Sequence, residues 1–302
     1  MSSQSASRHN VPSLGYSIRP ALSSNSAAAL LDAVLTSDQS TSGIMAQSKH
    51  LFIAIDYGTK TLAVASRIAK PGETAELAQV CDITFHGKED YAPQKVAWDD
   101  DGKFLWGWEL DDAIKKGFSR EKVIELWKLL LYKDHRTSAI AERVKEQLLL
   151  YGKSIDQLLE EHMRALLQAT MDHIKRQVQT PKNIDSMPTK VFMSVPQMWK
   201  LPADLQMATA AKKAGIAYVE LVFEPQAAAG YYLYFLKNNM DQLTPGDVLL
   251  MADIGGGTGD FNSYEFTTGK VAGAEARLKL VGDPKGWFSD PRHTAHLADC
   301  TR

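Results

Sequence analysis
The chain has 302 residues, 44% of them hydrophobic and 23% charged, with a formal net charge of -2. This is the composition of an ordinary globular chain, long enough for one large domain or two modest ones, each with a real core. It offers no strongly basic surface for nucleic acid or membrane and no apolar run of the roughly 18 residues that a transmembrane helix needs. With only Cys81 and Cys300 and no CxxC pair, it offers no disulfide scaffold or zinc module either.

Residues 1–48 are rich in Ser and Ala and poor in aromatics, and read as a disordered tail. Ser26–Leu35 within them has the composition of a short helix. Arg8 and Arg19 in this acid-poor stretch allow a mitochondrial transit peptide as the alternative to a plain tail in a cytoplasmic protein. Order is predicted from Leu51. LFIAI and LAVAS are apolar runs joined by Asp56-Tyr57-Gly58-Thr59-Lys60-Thr61, the pattern of two buried strands and a tight loop. A strand is expected near Gln79–Phe85 and another at Lys103–Trp108, the latter in a smaller subdomain at about 86–135. Helices are expected near Leu110–Lys116 and Glu121–Tyr132.

Arg136–Gln179 carries apolar residues in steps of three and four, from Ile140 and Val144 to Ile174 and Val178, which marks one buried helical face. Gly152 breaks the run, and Ser154 with Gln157 forms a capping box for a second helix. Beyond Pro181 strand and helix alternate. Lys190–Val195 is a strand, Leu201–Ala214 a helix stopped by Gly215, and Tyr218–Phe223 a strand; a helix then opens at Pro225 and runs to about Asn239. Asp247–Asp253, Phe261–Phe266 and Lys270–Leu280 follow as strands. The alternation predicts an α/β layer fold with a mostly parallel sheet and some antiparallel strands. Residues 282–302 lack a period and read as an irregular tail.

Two glycine-bearing turns each follow an apolar strand that ends in Asp. The first runs from Asp56 to Thr61; the second is Asp253-Ile254-Gly255-Gly256-Gly257-Thr258-Gly259-Asp260. Glycines in such turns let backbone N–H groups approach phosphate oxygens, and the hydroxyls of Thr59, Thr61 and Thr258 can donate to the same oxygens. A strand-end carboxylate can hold Mg²⁺ through its waters, because this ion keeps much of its hydration. Neither turn is a GxxxxGK[ST] loop or a GxGxxG opening a helix, so the pair suggests phosphates gripped between two lobes. Asp260 is either a second acidic neighbour of that site or a strand-edge polar residue. Trp106 and Trp108 read as packing, and His135, His162 and His173 as surface or core residues.

The segments IDYGTKTLAVAS and MADIGGGTGDF resemble the two phosphate loops of the 70-kilodalton heat-shock chaperone ATPases. Between them VFMSVPQMW resembles that family's strand ending in Val-Pro, and VFEPQAAAGYYL its connecting segment; the order is the family's over roughly residues 50–280. The resemblance implies an actin-like, ribonuclease H-like two-lobed α/β ATPase fold, with the first lobe at 49–246 and the second only begun at 247–281. It implies ATP and Mg²⁺ as ligands, with Asp56 and Asp253 at the metal. Gly58, Thr59, Lys60, Thr61, Gly255, Gly256, Gly257 and Thr258 would lie around the phosphates. Glu224 would position the attacking water, and Lys128, in ELWKLLLY, would be the catalytic lysine. Co-chaperones and client proteins would be the partners, with neither nucleic acid nor membrane among them.

Lys60 departs from the threonine usual in that family, and Gly259 from a bulkier residue. The family's adenosine-binding segment lies beyond the point where this sequence stops, so the chain is expected to be truncated at its C-terminus and weak or inactive as an isolated ATPase. A non-catalytic, partner-binding relative shares all these motifs; a sugar or small-molecule kinase of the same core is the third possibility.

Overall fold
The computed structural model describes residues 48–70, 80–132, 137–177, 180–236, 244–256, 258–267 and 278–288. The tail 1–47 with its Ser26–Leu35 segment, Gly257, and residues 289–302 lie outside the described residues. The described chain is mixed α/β, with three sheets and five helices of nine residues or more among its described residues.

The largest sheet is built on β1 (His50–Tyr57) and β2 (Thr61–Ala69), which pair antiparallel through the tight turn 58–60. β3 (Cys81–Asp82) and β4 (Tyr91–Pro93) both pair with β2. On the other side β1 pairs parallel with β8 (Thr189–Val195), and β8 parallel with β9 (Val219–Phe223), giving the order β3-β2-β1-β8-β9. β1 is buried along almost its whole length, as expected of a continuous apolar run covered on both faces.

Strand alternation then assigns the two faces. Leu51, Ile53, Ile55 and Tyr57 pack with Val191, Met193 and Val195 on one face, under the helices α2 (Ser138–Leu150), α3 (Ile155–Arg176) and α4 (Leu201–Lys213). Phe52 and Ala54 pack with Phe192 and Val222 on the other, beneath Ala227 of α5 (Glu224–Leu236). The capping box is present: the Gln157 N–H donates to Ser154 Oγ, and the Ser154 N–H to Gln157 Oε1.

A small sheet, β5 (Lys95–Trp98), β6 (Phe104–Trp106) and β7 (Ile124–Glu125), carries α1 (Gly107–Lys115). Here the sequence reading needs correction. Glu121–Tyr132 is not one helix but a short 3-10 turn (Arg120–Lys122), strand β7, and a second 3-10 turn (Trp127–Leu130). The second turn begins after Leu126 in the left-handed region at φ +60°, a conformation that apolar periodicity does not announce. The strand expected at Lys103–Trp108 ends at Trp106, because Gly107 at φ +55° turns the chain into α1.

The third sheet contains β10 (Val248–Ile254), β11 (Thr258–Phe266) and β12 (Leu278–Phe288), all antiparallel. Residues 282–288 therefore belong to a strand rather than to an irregular tail. Backbone pairing with β11, down to Thr258 opposite Phe288, holds the segment extended despite its aperiodic side chains.

Candidate functional site
The same alternation that buries Tyr57 among the helices turns Asp56 toward the opposite face, where α5 begins. Ser194, two residues after Phe192 on β8, shares that face. Its hydroxyl donates to Asp56 Oδ1 at 2.8 Å and accepts the Tyr57 N–H at 3.2 Å. Asp56 is thus fixed at the mouth of the turn by a buried serine that no motif had singled out.

The turn itself is clamped by Gln94, which lies between β4 and β5. Its backbone N–H donates to the Lys60 carbonyl at 2.7 Å and its side-chain amide to the Gly58 carbonyl at 3.1 Å. A Cβ on Gly58 would come within 2.4 Å of the Thr61 carbonyl oxygen, so the tightness of this loop requires glycine. Thr59 is buried and its hydroxyl has no hydrogen-bond partner among the described residues; Thr61 is half-buried at the start of β2.

The second turn meets the first. A Cβ on Gly256 would lie 2.6 Å from Cδ and 2.7 Å from Cγ of Lys60, so the lysine stem runs across the face of this glycine. Gly255 beside it is exposed. Gly257 lies outside the described residues, and Thr258 is placed only as the first residue of β11.

Asp253 and Asp260 are directly opposed in the β10–β11 ladder, so their carboxyls leave the sheet on the same face. Burial, together with the charges of Glu224, Asp56 and Asp260, pushes the Asp253 carboxyl up to about 7. Burial and Glu224 push Asp260 up to about 6, although the Met198 N–H bonds to it; its Oδ1 has no partner among the described residues. Four acidic side chains from two sheets and one helix therefore lie within one electrostatic neighbourhood.

Glu224 opens α5, and Lys128 meets it there. The Lys128 ammonium donates to Glu224 Oε1 at 2.9 Å and to the Tyr57 carbonyl, and lies 5.3 Å from the centre of the Trp199 ring. Burial raises the Glu224 pKa against the opposing pull of Lys128. Asp56, Lys60, Lys128, Glu224, Asp253 and Gly256 are thus brought together, with Asp260 among them. Gln94, Ser194 and Trp199 are the participants that sequence reasoning missed. Ser194 and Trp199 lie within VFMSVPQMW without a role having been read for them, and Gln94 stands in no motif; chain topology gives all three their place.

Among the described residues no group of three or more His, Cys, Asp or Glu side chains is placed to hold a metal ion directly. The donors nevertheless suit a hydrated divalent cation. Two of the four carboxyls take up protons near neutrality because they are buried beside other acids, and Asp260 Oδ1 is buried without a hydrogen-bond partner among the described residues. No described helix is long and apolar enough to cross a membrane. No family model matches the chain, and no curated protein matches it in sequence.

Proposed function
We propose that this cleft binds the phosphates of ATP with Mg²⁺, and that the chain is nucleotide-binding machinery of the actin-like, two-lobed kind used by the 70-kilodalton heat-shock chaperones. The observation that carries the proposal is the contact of Lys60 with Gly256, together with the Asp56 charge that acts on the Asp253 carboxyl. It brings two glycine turns from different sheets against each other, each with a strand-end acid. The mixed β3-β2-β1-β8-β9 sheet and the separate β10-β11-β12 sheet, both in contact with α5, support the two-lobed reading. Co-chaperones and client proteins are the corresponding partners.

In this reading Asp56 and Asp253 would hold Mg²⁺ through its waters, a cation that would supply charge neutralisation at the phosphate oxygens. The backbone N–H groups of the two turns and the Thr59 hydroxyl bind the phosphates. Lys128 stabilises negative charge on the terminal phosphoryl group, and Glu224 orients the attacking water and accepts its proton. Both side chains are pre-positioned by burial, so little reorganisation is needed when charge develops.

A second reading is binding without turnover, in a protein that recruits partners when loaded. The Lys128–Glu224 pair favours it, because each group already neutralises the other. Isothermal titration with Mg·ATP and a phosphate-release assay test both. Saturable binding weakened at least tenfold by Asp253→Asn is expected. Binding without phosphate release selects the second reading, and no binding of any nucleotide at millimolar concentration overturns both.

A further inference from the structure
We infer that His162 is a positioning residue for Lys128, acting through Tyr57 and Trp127. The inference rests on the reading that Lys128 serves the phosphate cleft. His162 stands near the middle of α3, on the far face of the main sheet from the carboxylates, and is completely buried. Its Nδ1 is hydrogen-bonded to the Tyr57 hydroxyl at 2.6 Å. Burial lowers the imidazole to about 3 and raises the phenol above its ordinary range, so both groups are neutral. In the tautomer with its proton on Nε2, the ring accepts the Tyr57 O–H.

Four aromatic rings surround this imidazole. Tyr57, Trp106 and Trp127 lie edge-on at 5.5, 5.4 and 5.3 Å between centroids, and Phe104 is tilted at 6.2 Å. A hydrocarbon side chain would fill such a space without a polar cost. His162 instead buries an Nε2 with no partner among the described residues, a penalty that the single bond to Tyr57 has to offset.

What that bond holds is the residue next to the first turn. Tyr57 is anchored at three points: its hydroxyl on His162, its N–H on Ser194 Oγ, and its carbonyl under the Lys128 ammonium. With the ring pinned, the carbonyl that receives Lys128 cannot rotate independently. The other contact works from the opposite end. Trp127 immediately precedes Lys128 in a 3-10 turn launched from the left-handed Leu126, and its indole rests against His162. One imidazole therefore touches both the acceptor's residue and the donor's neighbour, which fixes the Nζ of Lys128 relative to Glu224.

The test uses the full chain with His162→Phe, which keeps ring volume, Tyr57→Phe, which keeps the packing, and His162→Asn, which places an oxygen near the position of Nδ1. The first readout needs no nucleotide: acylation of Lys128 by an amine reagent, resolved by mass spectrometry against exposed Lys103. The second is kcat and KM for Mg·ATP. Loss of one buried hydrogen bond predicts acylation faster by about tenfold in both phenylalanine variants. It also predicts a lower kcat at nearly unchanged KM, no further effect in the double variant, and substantial recovery in His162→Asn. Unchanged Lys128 protection in Tyr57→Phe, or no recovery by asparagine, overturns the inference. If the acylation pattern appears while the wild type neither binds nor hydrolyses ATP, the positioning stands and the cleft reading falls.

Discussion

The Lys128 ammonium lies 2.9 Å from a Glu224 carboxylate oxygen, with side chains only 3% and 12% exposed, although 96 residues separate them. One comes from a 3-10 turn of the small subdomain, the other from the first residue of α5. Taking both charges out of water is costly, and the pair is worth keeping only while both members are present. Lys128→Met leaves a buried carboxylate without its cation and is expected to cost roughly 3–5 kcal/mol. Lys128→Met with Glu224→Gln removes both charges and is expected to recover most of that loss. Urea unfolding midpoints measure this. Equal losses in the single and double variants would show that the two residues do not act as a unit.

The carboxyls of Asp253 and Asp260 make stability depend on pH. Their ordinary value is 3.8, and in the folded chain they stand at about 7 and about 6. The native state then holds more protons than the unfolded state between these limits, so stability falls as pH rises from about 4 to 7. Above 7 the full penalty is present. Asp253→Asn removes the larger share and is expected to raise the melting temperature at pH 8, with a ceiling of about 4 kcal/mol for a three-unit shift. It should also flatten the melting temperature between pH 5 and 7. Mg²⁺ added to the wild type at pH 8 is expected to act in the same direction. A lower melting temperature in the asparagine variant at pH 8 would contradict this account.

Gly58 and Gly256 are expected to respond differently to alanine. At Gly58 the new methyl meets the Thr61 carbonyl oxygen at 2.4 Å, and this backbone is clamped by Gln94. The β1–β2 turn has to open, and a loss of about 1–3 kcal/mol is expected, as for other overpacked sites. At Gly256 the methyl meets the flexible stem of Lys60, which can swing aside. Gly256→Ala should therefore melt close to the wild type while weakening nucleotide binding. Thermal melts and titrations of the two variants separate these effects.

Most of the main sheet was legible because its strands are continuous apolar runs and its helices carry periodic stripes. β1, β8 and β9 lie within a residue or two of their expected limits, β2 runs three residues past the expected LAVAS, and Ser154 caps α3 as its spacing demanded. The segment that carries Lys128 was not legible. ELWKLLLY has the composition of a helix, but Leu126 adopts a positive φ and pairing with β5 captures Ile124–Glu125. Of the strand expected at Lys270–Leu280, residues 270–277 lie outside the described residues and Leu278–Leu280 open β12; its continuation to Phe288 was missed because backbone pairing with β11 holds a stretch that no side-chain pattern marks. At the site, the acids and glycines announced themselves through their turns. Ser194 and Gln94 did not, because a lone serine on a strand and a lone glutamine between strands acquire meaning only through the residues that topology places opposite them.

Lys60 supplies the last prediction. Its carbonyl is held by the Gln94 N–H, and its stem crosses Gly256 between the two turns. The cleft carries four acidic side chains, and its buried cation, Lys128, is committed to Glu224. A polyphosphate entering without a divalent ion meets uncompensated negative charge, so a lysine at the mouth has most influence when the metal is absent. Titration of ATP into the wild type and Lys60→Thr, in Mg²⁺ and in EDTA, measures that influence. A charge-assisted contact of about 1.5–3 kcal/mol predicts a loss of at least tenfold in EDTA for Lys60→Thr, and a smaller loss in Mg²⁺. Lys60→Arg keeps the charge and should fall between the two. Equal losses under both conditions would mean that Lys60 serves only as packing across Gly256, and that divalent metal alone sets the charge balance of the cleft.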